Sequence, residues 1–402
     1  MSRVLLWSPN YAPEYMGIPP LVTDAARWLV ERGHVVDVVT AVPNYPQRVV
    51  RPEYRGTVYA SAVEDGVAVH RSWLYVRREE RVVDKALYET SFATVSLPRV
   101  IRRAAAADVV VCVVPSLVAA TYAAALRRVL RAAGRRTRLV LWVQDLVLAA
   151  AASLDLGEAA ERLFALLERV EARTMRSADL VVTCSPGFRD YLVVRGAHAA
   201  KIRTILNWVN VDEYASPPPR ESPGPTQFLY AGNVGYTQGL DTLVDAARLL
   251  GDGVAVRIVG DGNAAEELTS YAADASNVSV EPAVPREAAP ALLASAHAHV
   301  VIQRRISAGV NLPSKIATCL ASSRPIVASI DPATPAAALL RESGGALVVP
   351  PEDPAVLAEA MERVHRDRRL RGRLAEAGRR YAERELSHDV ALPRLEEAIL
   401  SK

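Results

Sequence analysis

Short apolar runs alternate along the chain with segments of helical periodicity. In the first half these runs span residues 4–7, 34–40, 109–114, 139–143 and 180–184. The pattern restarts in the second half, with runs at residues 227–231, 255–259, 278–280, 299–302, 325–329 and 346–349. Strands that alternate with helices build parallel sheets, because each helix carries the chain back to the start of the next strand. The pattern therefore predicts two doubly wound α/β domains of Rossmann-like architecture.

A proline-rich stretch separates the two halves. Residues 216–225 read SPPPRESPGP, a composition that neither a helix nor a central strand tolerates. We therefore predict a first domain over 1–207, a linker over 208–226 and a second domain over 227–386. Two such domains, facing each other, predict an interdomain cleft between the carboxyl ends of their sheets, where ligands of doubly wound sheets bind. The tail from Pro354 has helical periodicity, with predicted breaks near Gly378 and at Ser387–His388.

Composition narrows the class of protein. Half of the 402 residues are hydrophobic and 23% are charged, which argues against disorder and fibrous repeats. The 48 basic and 45 acidic residues nearly balance, so we expect no nucleic-acid partner. Three cysteines stand far apart among apolar neighbours, as buried thiols of a reducing compartment do. The longest uncharged stretch is near membrane-spanning length, but Pro115 and Ser116 divide it into a strand, a turn and a helix. We therefore predict a cytoplasmic protein that does not cross a membrane.

Two glycine-containing loops are candidate anion sites, since each lies between the first strand of a domain and a helix. Gly17 ends the first loop, where backbone N–H groups at the start of the helix could bind an anion. Gly232, Gly235 and Gly239 crowd the second loop, and glycine admits close approach of the backbone to a phosphate. The alternative for each loop is an ordinary tight turn, and neither loop has the GxGxxG or Walker spacing.

Charged side chains at later strand ends are further candidates. Arg304 and Arg305 follow a strand that reads as buried, and Lys315 begins a helical run soon afterwards. These cations could neutralise a pyrophosphate, and the alternative is solvated charge on a loop. Asp145 follows another predicted strand and is either an acceptor base or the cap of the next helix. The chain contains no HxxxH, HExxH, DxD or GxSxG pattern, so no metal site and no serine hydrolase is predicted.

A basic and aromatic stretch in the first domain is a candidate membrane contact. Its members are Trp73, Tyr75, Arg77, Arg78, Arg81, Lys85, Tyr88 and Phe92. Such a stretch fits anionic lipid headgroups. It fits an ordinary solvated helix face as well, because four acidic residues interrupt the positive charge: Glu79, Glu80, Asp84 and Glu89.

A set of short motifs spans nearly the whole chain, each weak alone and specific in combination and order. They are Tyr11-Ala-Pro-Glu-Tyr-Met-Gly-Ile18, Glu31-Arg-Gly-His34, Pro43-Asn-Tyr-Pro-Gln47, Val113-Val-Pro-Ser-Leu117, Val143-Gln-Asp145, Asn207-Trp208, Gly232-Asn-Val-Gly235, Gln238-Gly-Leu240, Gln303-Arg-Arg305 and Leu312-Pro-Ser-Lys315. With these motifs the chain resembles family 4 retaining glycosyltransferases of the two-domain GT-B fold. More narrowly, it is similar to the branch that acts in colanic-acid and O-antigen type polysaccharide assembly.

The resemblance implies that the first domain holds the acceptor and the second holds the nucleotide-sugar donor. It also implies that a final helix, over 387–402, crosses back to the first domain. Together with the patterns above, it suggests catalytic roles for Asp145, Arg304 and Lys315. Donor contacts are expected from Gly17, Gly232, Asn233, Gln238, Gly260, Arg305, Ser307, Asn311 and Ser314. No metal and no cofactor beyond the donor substrate is expected.

The chain departs from the wider family at several of these positions. Asn233 and Gln238 stand where an arginine and a lysine usually bind the diphosphate. The two positions of the usual Glu-x7-Glu motif fall on Ser307 and Lys315, and Gln144 replaces a frequent histidine. We therefore expect Arg304, Arg305 and Lys315 to supply the missing positive charge.

These expectations add up to a metal-independent transferase that moves a sugar from a nucleoside-diphosphate donor to an acceptor hydroxyl with retention of configuration. Two alternatives remain: a nucleotide-sugar epimerase or hydrolase on the same fold, and a non-catalytic nucleotide-sugar-binding protein. The acceptor is a glycan, a lipid-linked sugar or a small natural product. A lipid-linked acceptor would bring this cytoplasmic protein into peripheral contact with the inner membrane face.

Overall fold

The chain divides into two compact units. The computed structural model describes residues 1–77, 82–114, 116–146, 158–214, 224–305, 313 and 315–401. Unit 1 comprises Met1–Leu206 together with Leu392–Lys402, and unit 2 comprises Asn207–Ala391. Unit 1 is therefore built from two separate parts of the sequence. Most of the proline-rich stretch, residues 215–223, lies outside the described residues.

An eight-stranded sheet forms the centre of unit 1 as described. Its strands are β1 (Arg3–Trp7), β2 (Val35–Ala41), β3 (Tyr59–Glu64), β4 (Val67–Ser72), β5 (Val109–Val114), β6 (Arg138–Val143), β7 (Leu180–Thr183) and β8 (Ile202–Thr204). The order across the sheet is β3-β4-β2-β1-β5-β6-β7-β8, and every neighbouring pair is parallel except β3 with β4. In the register of the central strands Val4 pairs with Val36 on one side and Val109 on the other. All six residues of β5 are buried, as expected for a parallel strand covered on both faces.

The described part of unit 1 contains five helices before residue 207, and local chemistry marks the ends of some of them. They are α1 (Ile18–Glu31), α2 (Val82–Ala104), α3 (Leu117–Ala132), α4 (Glu158–Ser177) and α5 (Pro186–Val194). Short 3-10 turns occur at Pro52–Tyr54 and Ala199–Lys201. The Ser116 side chain caps α3 by accepting the Ala119 N–H at 3.2 Å. Gly33 follows α1 with φ of 84°, the left-handed conformation in which helices often end at a glycine.

A six-stranded parallel sheet forms the centre of unit 2 as described. Its strands are β9 (Thr226–Ala231), β10 (Val254–Val259), β11 (Val278–Glu281), β12 (Ala298–Ile302), β13 (Ile326–Ser329) and β14 (Ala346–Val349). The order is β11-β10-β9-β12-β13-β14. Phe228, Leu243, Ile258 and Met361 belong to one buried cluster that joins the sheet to its helices. The predicted fold class, two doubly wound α/β sheets, is confirmed.

The helices of unit 2 correct one prediction about the tail. They are α6 (Leu240–Arg248), α7 (Ala265–Tyr271), α8 (Ala289–Ser295), α9 (Lys315–Ala321), α10 (Pro335–Ser343), α11 (Pro354–Arg366), α12 (Arg368–Tyr381) and the start of α13 (His388–Leu400), with 3-10 turns at Val211–Tyr214 and Arg286–Ala288 and a π turn at Ala382–Leu386. The predicted break near Gly378 is wrong, because α12 continues through it. A Cβ on Gly345 would lie 2.6 Å from the Cα of Gly378. Gly378 therefore allows close packing against Gly345 and does not end the helix. The break at Ser387 is confirmed.

The β3–β4 hairpin was missed by the sequence analysis. These strands lie at the edge of the sheet, and several residues of β3 are exposed, so no continuous apolar run marks them. Asp65 and Gly66 form the turn with φ of 50° and 79°. An Asp-Gly pair with positive φ at both positions is typical of a tight hairpin, so the signal was present in the sequence.

Two further predictions concern the cysteines and membrane-spanning helices. Cys112, Cys184 and Cys319 are free and buried, as expected from their apolar neighbours. Within the described ranges, every helix is either too short or too polar to cross a membrane.

Candidate functional site

The glycine loop, residues 232–239, links β9 to α6 and is fixed by backbone packing. Gly232 donates its N–H to the Val259 carbonyl at 3.0 Å. A Cβ on Gly260 would lie 1.8 Å from the Gly232 carbonyl oxygen, and no side chain fits there. Gly260, expected to contact the donor, is thus required for the packing that shapes the loop.

Lys315, the first residue of α9, lies beneath this loop. Its Nζ is 3.8 Å from the centroid of the Tyr230 ring. A Cβ on Gly232 would lie 2.8 Å from the same Nζ, so the glycine leaves the space that the ammonium occupies. Burial lowers the pKa of Lys315 to about 8, and no carboxylate of the described residues forms an ion pair with it. The structure thus places under the glycine loop a cation that no described carboxylate compensates.

Asn233 and Gln238 close the glycine loop on itself. The Asn233 side-chain amide donates to Gln238 Oε1 at 3.3 Å, and the Gly235 N–H donates to the same oxygen at 3.1 Å. The Tyr230 hydroxyl donates to the Asn233 carbonyl at 2.6 Å. These two side chains therefore shape the loop where the wider family carries cations, and they add no positive charge.

Arg304 has a carboxylate partner, which the sequence did not reveal. Its Nη2 lies 2.8 Å from both carboxylate oxygens of Asp241 on α6, and its Nη1 lies 3.7 Å from Glu352. Its Nε donates to the Tyr236 carbonyl at 2.9 Å. The side chain also covers Gly239, where a Cβ would meet the Arg304 Cγ at 2.9 Å. The charge that we expected to be free is therefore compensated, and Arg304 fastens the glycine loop to α6.

The remaining expected donor contacts of unit 2 are less defined. Arg305 is exposed, and its Nη1 lies 3.8 Å from Asp331. Ser307, Asn311 and Ser314 lie outside the described residues. Around the glycine loop the structure therefore brings together the expected residues Gly232, Asn233, Gln238, Gly260, Arg304 and Lys315.

In unit 1, Gly17 precedes α1 with φ of 78°, a value that favours glycine. Two of the first residues of the helix, Pro19 and Pro20, have no N–H group. The amino end of α1 therefore offers fewer donors to an anion than a helix start usually does.

Glu14 is a buried carboxylate of the same loop that the sequence analysis did not single out. Its side chain accepts the backbone N–H groups of Asn44 and Tyr45 at 2.8 Å each, and the Asn10 amide at 2.9 Å. Burial raises its pKa, although these hydrogen bonds oppose the shift. Glu14 joins the loop after β1 to the loop after β2. In the sequence, the signal for this role was the Pro13-Glu14 pair in a loop that follows a buried strand.

Asp145 lies just beyond the end of β6. One of its carboxylate oxygens accepts the N–H of Leu146 at 2.8 Å. Burial raises its pKa, and the positive charge of Lys85 opposes the shift. A carboxyl group with a raised pKa at a strand end is suited to accept a proton or to orient a hydroxyl. The alternative role of Asp145, as the cap of the next helix, falls on residues 147–157, which lie outside the described residues.

The basic and aromatic stretch divides between core and surface. Phe92 is buried, with its ring centroid 6.3 Å from that of Trp7, so it is not available to lipid. Tyr88 is partly buried, and its hydroxyl accepts from the Asn10 amide at 3.4 Å. Trp73 is exposed, whereas Arg78 and Arg81 lie outside the described residues.

Comparison with known proteins identifies the family. Residues 17–208 match a model described as a glycosyl transferase 4-like domain, and residues 225–367 match one described as glycosyl transferases group 1. WcaI of Escherichia coli, named as a colanic acid biosynthesis glycosyl transferase, is 30% identical over 408 residues, covering 97% of this chain and 98% of that protein.

Solved structures show the same fold at low sequence identity. A sucrose-phosphate synthase from Thermosynechococcus elongatus superimposes with a TM-score of 0.75 at 16% identity, covering 99% of this chain and 98% of that one. HepE from Anabaena, solved in complex with UDP, superimposes with a TM-score of 0.72 at 14% identity, and each chain is covered completely. The two matched models, the relative and the fold agree with the resemblance drawn from the motifs. The chain belongs to family 4 of the retaining glycosyltransferases, the group 1 enzymes of GT-B fold that transfer a sugar from a nucleotide sugar.

Proposed function

We propose that the chain transfers a sugar from a nucleoside-diphosphate donor to a hydroxyl of a growing glycan or lipid-linked sugar during polysaccharide assembly, without a metal ion. The similarity to WcaI over nearly the full length supports a polysaccharide product. The UDP bound by HepE supports a nucleoside diphosphate as the leaving group. Donor binding belongs to unit 2, and acceptor binding belongs to unit 1.

One observation carries this proposal: the ammonium of Lys315 lies under a glycine loop without a carboxylate partner among the described residues. A partly buried cation without a counterion is costly, and an anionic ligand offsets that cost. The diphosphate of the donor is the matching anion. Its negative charge grows as the sugar departs, so Lys315 stabilises the transition state more than the bound substrate.

The other residues have supporting roles in this proposal. Gly232 and Gly260 bring the backbone close to the diphosphate, and Asn233 with Gln238 keeps the loop closed. Arg304 holds the loop against α6. Gly17 allows the turn that leads into α1. The departing phosphate takes the proton of the acceptor hydroxyl on the same face of the sugar, and Asp145 orients that hydroxyl.

A thermal-shift screen of nucleotide sugars tests the proposal. A ligand that binds the folded chain and not the unfolded chain raises the melting temperature. At a ligand concentration of a hundred times the dissociation constant, the free energy of unfolding increases by about 2.7 kcal/mol. We expect one nucleotide sugar to raise it in the presence of excess EDTA. Incubation of that donor with glycan and lipid-linked acceptors should then release the nucleoside diphosphate. Failure of every nucleotide sugar to stabilise the wild-type chain contradicts the proposal.

A further inference from the structure

Tyr230 lies at the end of β9 and contacts both parts of the proposed donor site. The face of its ring lies against the Lys315 ammonium, with 3.8 Å from Nζ to the ring centroid. Its hydroxyl donates to the Asn233 carbonyl of the glycine loop at 2.6 Å. The side chain is fully buried, so ligand is not expected to touch it directly.

The space above the ammonium depends on Gly232. A Cβ at this position would lie 2.8 Å from Nζ and 3.1 Å from Cε of Lys315. Gly232 also has φ of 145°, which side-chain-bearing residues rarely adopt. The ammonium is therefore held between an aromatic face and a backbone segment that has no side chain.

A cation over an aromatic face is attracted by the negative charge of the ring face, and the attraction is stronger where water is excluded. The ring can therefore hold the ammonium in the charged form without a carboxylate. A carboxylate would compete with an anionic ligand, whereas an aromatic ring leaves the charge available. This difference gives the pairing a reason beyond core packing.

We propose that Tyr230 is a positioning residue: its ring fixes the Lys315 ammonium and its hydroxyl fixes the glycine loop, so that one side chain aligns the two parts of the site. The consequence for donor affinity rests on the proposed function. The positioning itself does not, because it is a property of the ligand-free chain.

The small number of lysines makes this positioning measurable without a ligand. Only four of the 48 basic residues are lysines, namely Lys85, Lys201, Lys315 and Lys402. Trace acetylation with acetic anhydride over a pH series, followed by peptide mass spectrometry, gives a titration midpoint for each amine, because only the neutral amine reacts. We expect a midpoint near pH 8 for Lys315, below the ordinary lysine value of about 10.4.

Three variants separate the ring, the hydroxyl and the glycine. Y230F retains the ring, so we expect its Lys315 midpoint to match that of the wild-type chain. Y230L removes the attraction to the ring, and we expect a lower midpoint because the buried ammonium loses its stabilising partner. G232A places a methyl group against Nζ and displaces the amine from the ring, so its midpoint should differ from that of the wild-type chain.

Identical Lys315 midpoints in the wild type, Y230L and G232A overturn the positioning role. Because Tyr230 is buried, Y230L is first checked for a cooperative unfolding transition, and G232A carries the test if Y230L does not fold. Y191L is the matched control, since Tyr191 pairs with Arg195 in unit 1 at 5.0 Å. It should leave the Lys315 midpoint unchanged.

A second measurement connects the positioning to anion binding. Inorganic pyrophosphate and UDP are the probes, and their protection of Lys315 from acetylation at pH 7 gives apparent dissociation constants. We expect about tenfold weaker protection in Y230L and less than threefold weaker protection in Y230F. Equal weakening in both variants contradicts the role of the ring.

The two proposals can fail separately. Shifted midpoints with no stabilisation by any nucleotide sugar would retain the positioning role and reject the proposed function. Turnover of a donor with unchanged midpoints in all variants would retain the proposed function and reject the role of Tyr230.

Discussion

The loop after β1 and the glycine loop after β9 follow equivalent strands of their respective sheets, but one contains a buried carboxylate and the other lies over an ammonium. The first loop contains Glu14, whose carboxylate accepts N–H groups from its own unit. The glycine loop lies over Lys315, whose ammonium rests against the Tyr230 ring and has no carboxylate partner among the described residues. The Glu14 carboxylate is thus satisfied within its own unit, whereas in the proposed function the Lys315 ammonium takes its partner from the donor. Equivalent positions in two similar sheets can therefore be built for different purposes.

Replacing Lys315 with methionine is expected to have the largest effect. Loss of the cation should lower turnover of the donor by about 100-fold or more, as removal of a group that stabilises transition-state charge does. Steady-state kinetics of nucleoside diphosphate release measures this. Lys201→Met, a lysine of unit 1, is the control and should retain activity. Activity close to that of the wild type in the Lys315 variant would contradict the charge comparison between the loops.

The same variant should be more stable than the wild type at pH 7. The pKa of Lys315 is lowered to about 8 by burial, so its charged form costs folding free energy below that pH. This cost disappears as the pH rises from about 8 to the ordinary lysine value of about 10.4. Unfolding measured over this range should therefore show the advantage of methionine shrinking with pH. An advantage that grows with pH would have the wrong sign for a buried cation.

Replacing Glu14 with alanine tests the first loop and should mainly affect stability. Three donors lose their acceptor, so we expect a loss of about 2–4 kcal/mol in the free energy of unfolding. Glu14→Gln is the matched variant, because its amide oxygen can still accept from Asn44 and Tyr45. It should lie within about 1 kcal/mol of the wild type by denaturant unfolding. Equal losses in both variants would show that the charge matters and not the hydrogen bonds.

Replacing Asp145 of unit 1 with asparagine is expected to have smaller effects: it should lower activity and raise stability. Asp145→Asn should lower kcat by about tenfold if the carboxylate orients the acceptor hydroxyl. Burial raises the pKa of Asp145, so its ionised form costs stability above that pKa, and the variant should melt about 1–3 °C higher at pH 7. This advantage should vanish as the pH falls to about 4. A lower melting temperature at pH 7 would favour a structural role.

The smallest effect is expected for Arg304. Because Asp241 compensates its charge, Arg304→Ala should weaken donor turnover by about threefold to fivefold, through a looser glycine loop. Asp241→Asn removes the same ion pair and should have a similar effect, and the double variant should be no worse than either single variant. A loss in Arg304→Ala as large as that in the Lys315 variant would make Arg304 a direct donor contact.

The sequence predicts the two sheets well for a physical reason. Parallel strands are covered by helices on both faces, so they read as continuous apolar runs such as 109–114 and 299–302. The edge hairpin has no such run, and it was missed although Asp65-Gly66 marked its turn. The sequence cannot place Gly378 correctly, because a glycine inside a helix can signal either an end or a close contact.

The candidate site could be predicted only in part, because the sequence lists charges without their partners. Arg304 and Lys315 are equivalent cations in the sequence. Only the fold brings Asp241, 63 residues earlier, onto Arg304 and leaves Lys315 on Tyr230. The same limit hid Glu14, whose importance depends on two loops closing around it.

The division of unit 1 into two sequence segments has a consequence for its synthesis. Glu396 on α13 accepts the Trp28 indole N–H at 2.8 Å, and the Ile399 carbonyl accepts from Arg138 at 3.1 Å. The ribosome makes residues 1–206 first, but it makes these partners only after all of unit 2. Helix α1 therefore lacks these partners, with Trp28 uncovered, until residues 392–402 have been synthesised. A nascent chain stalled before residue 392 should be cleaved by protease at sites in unit 1 that the finished protein protects.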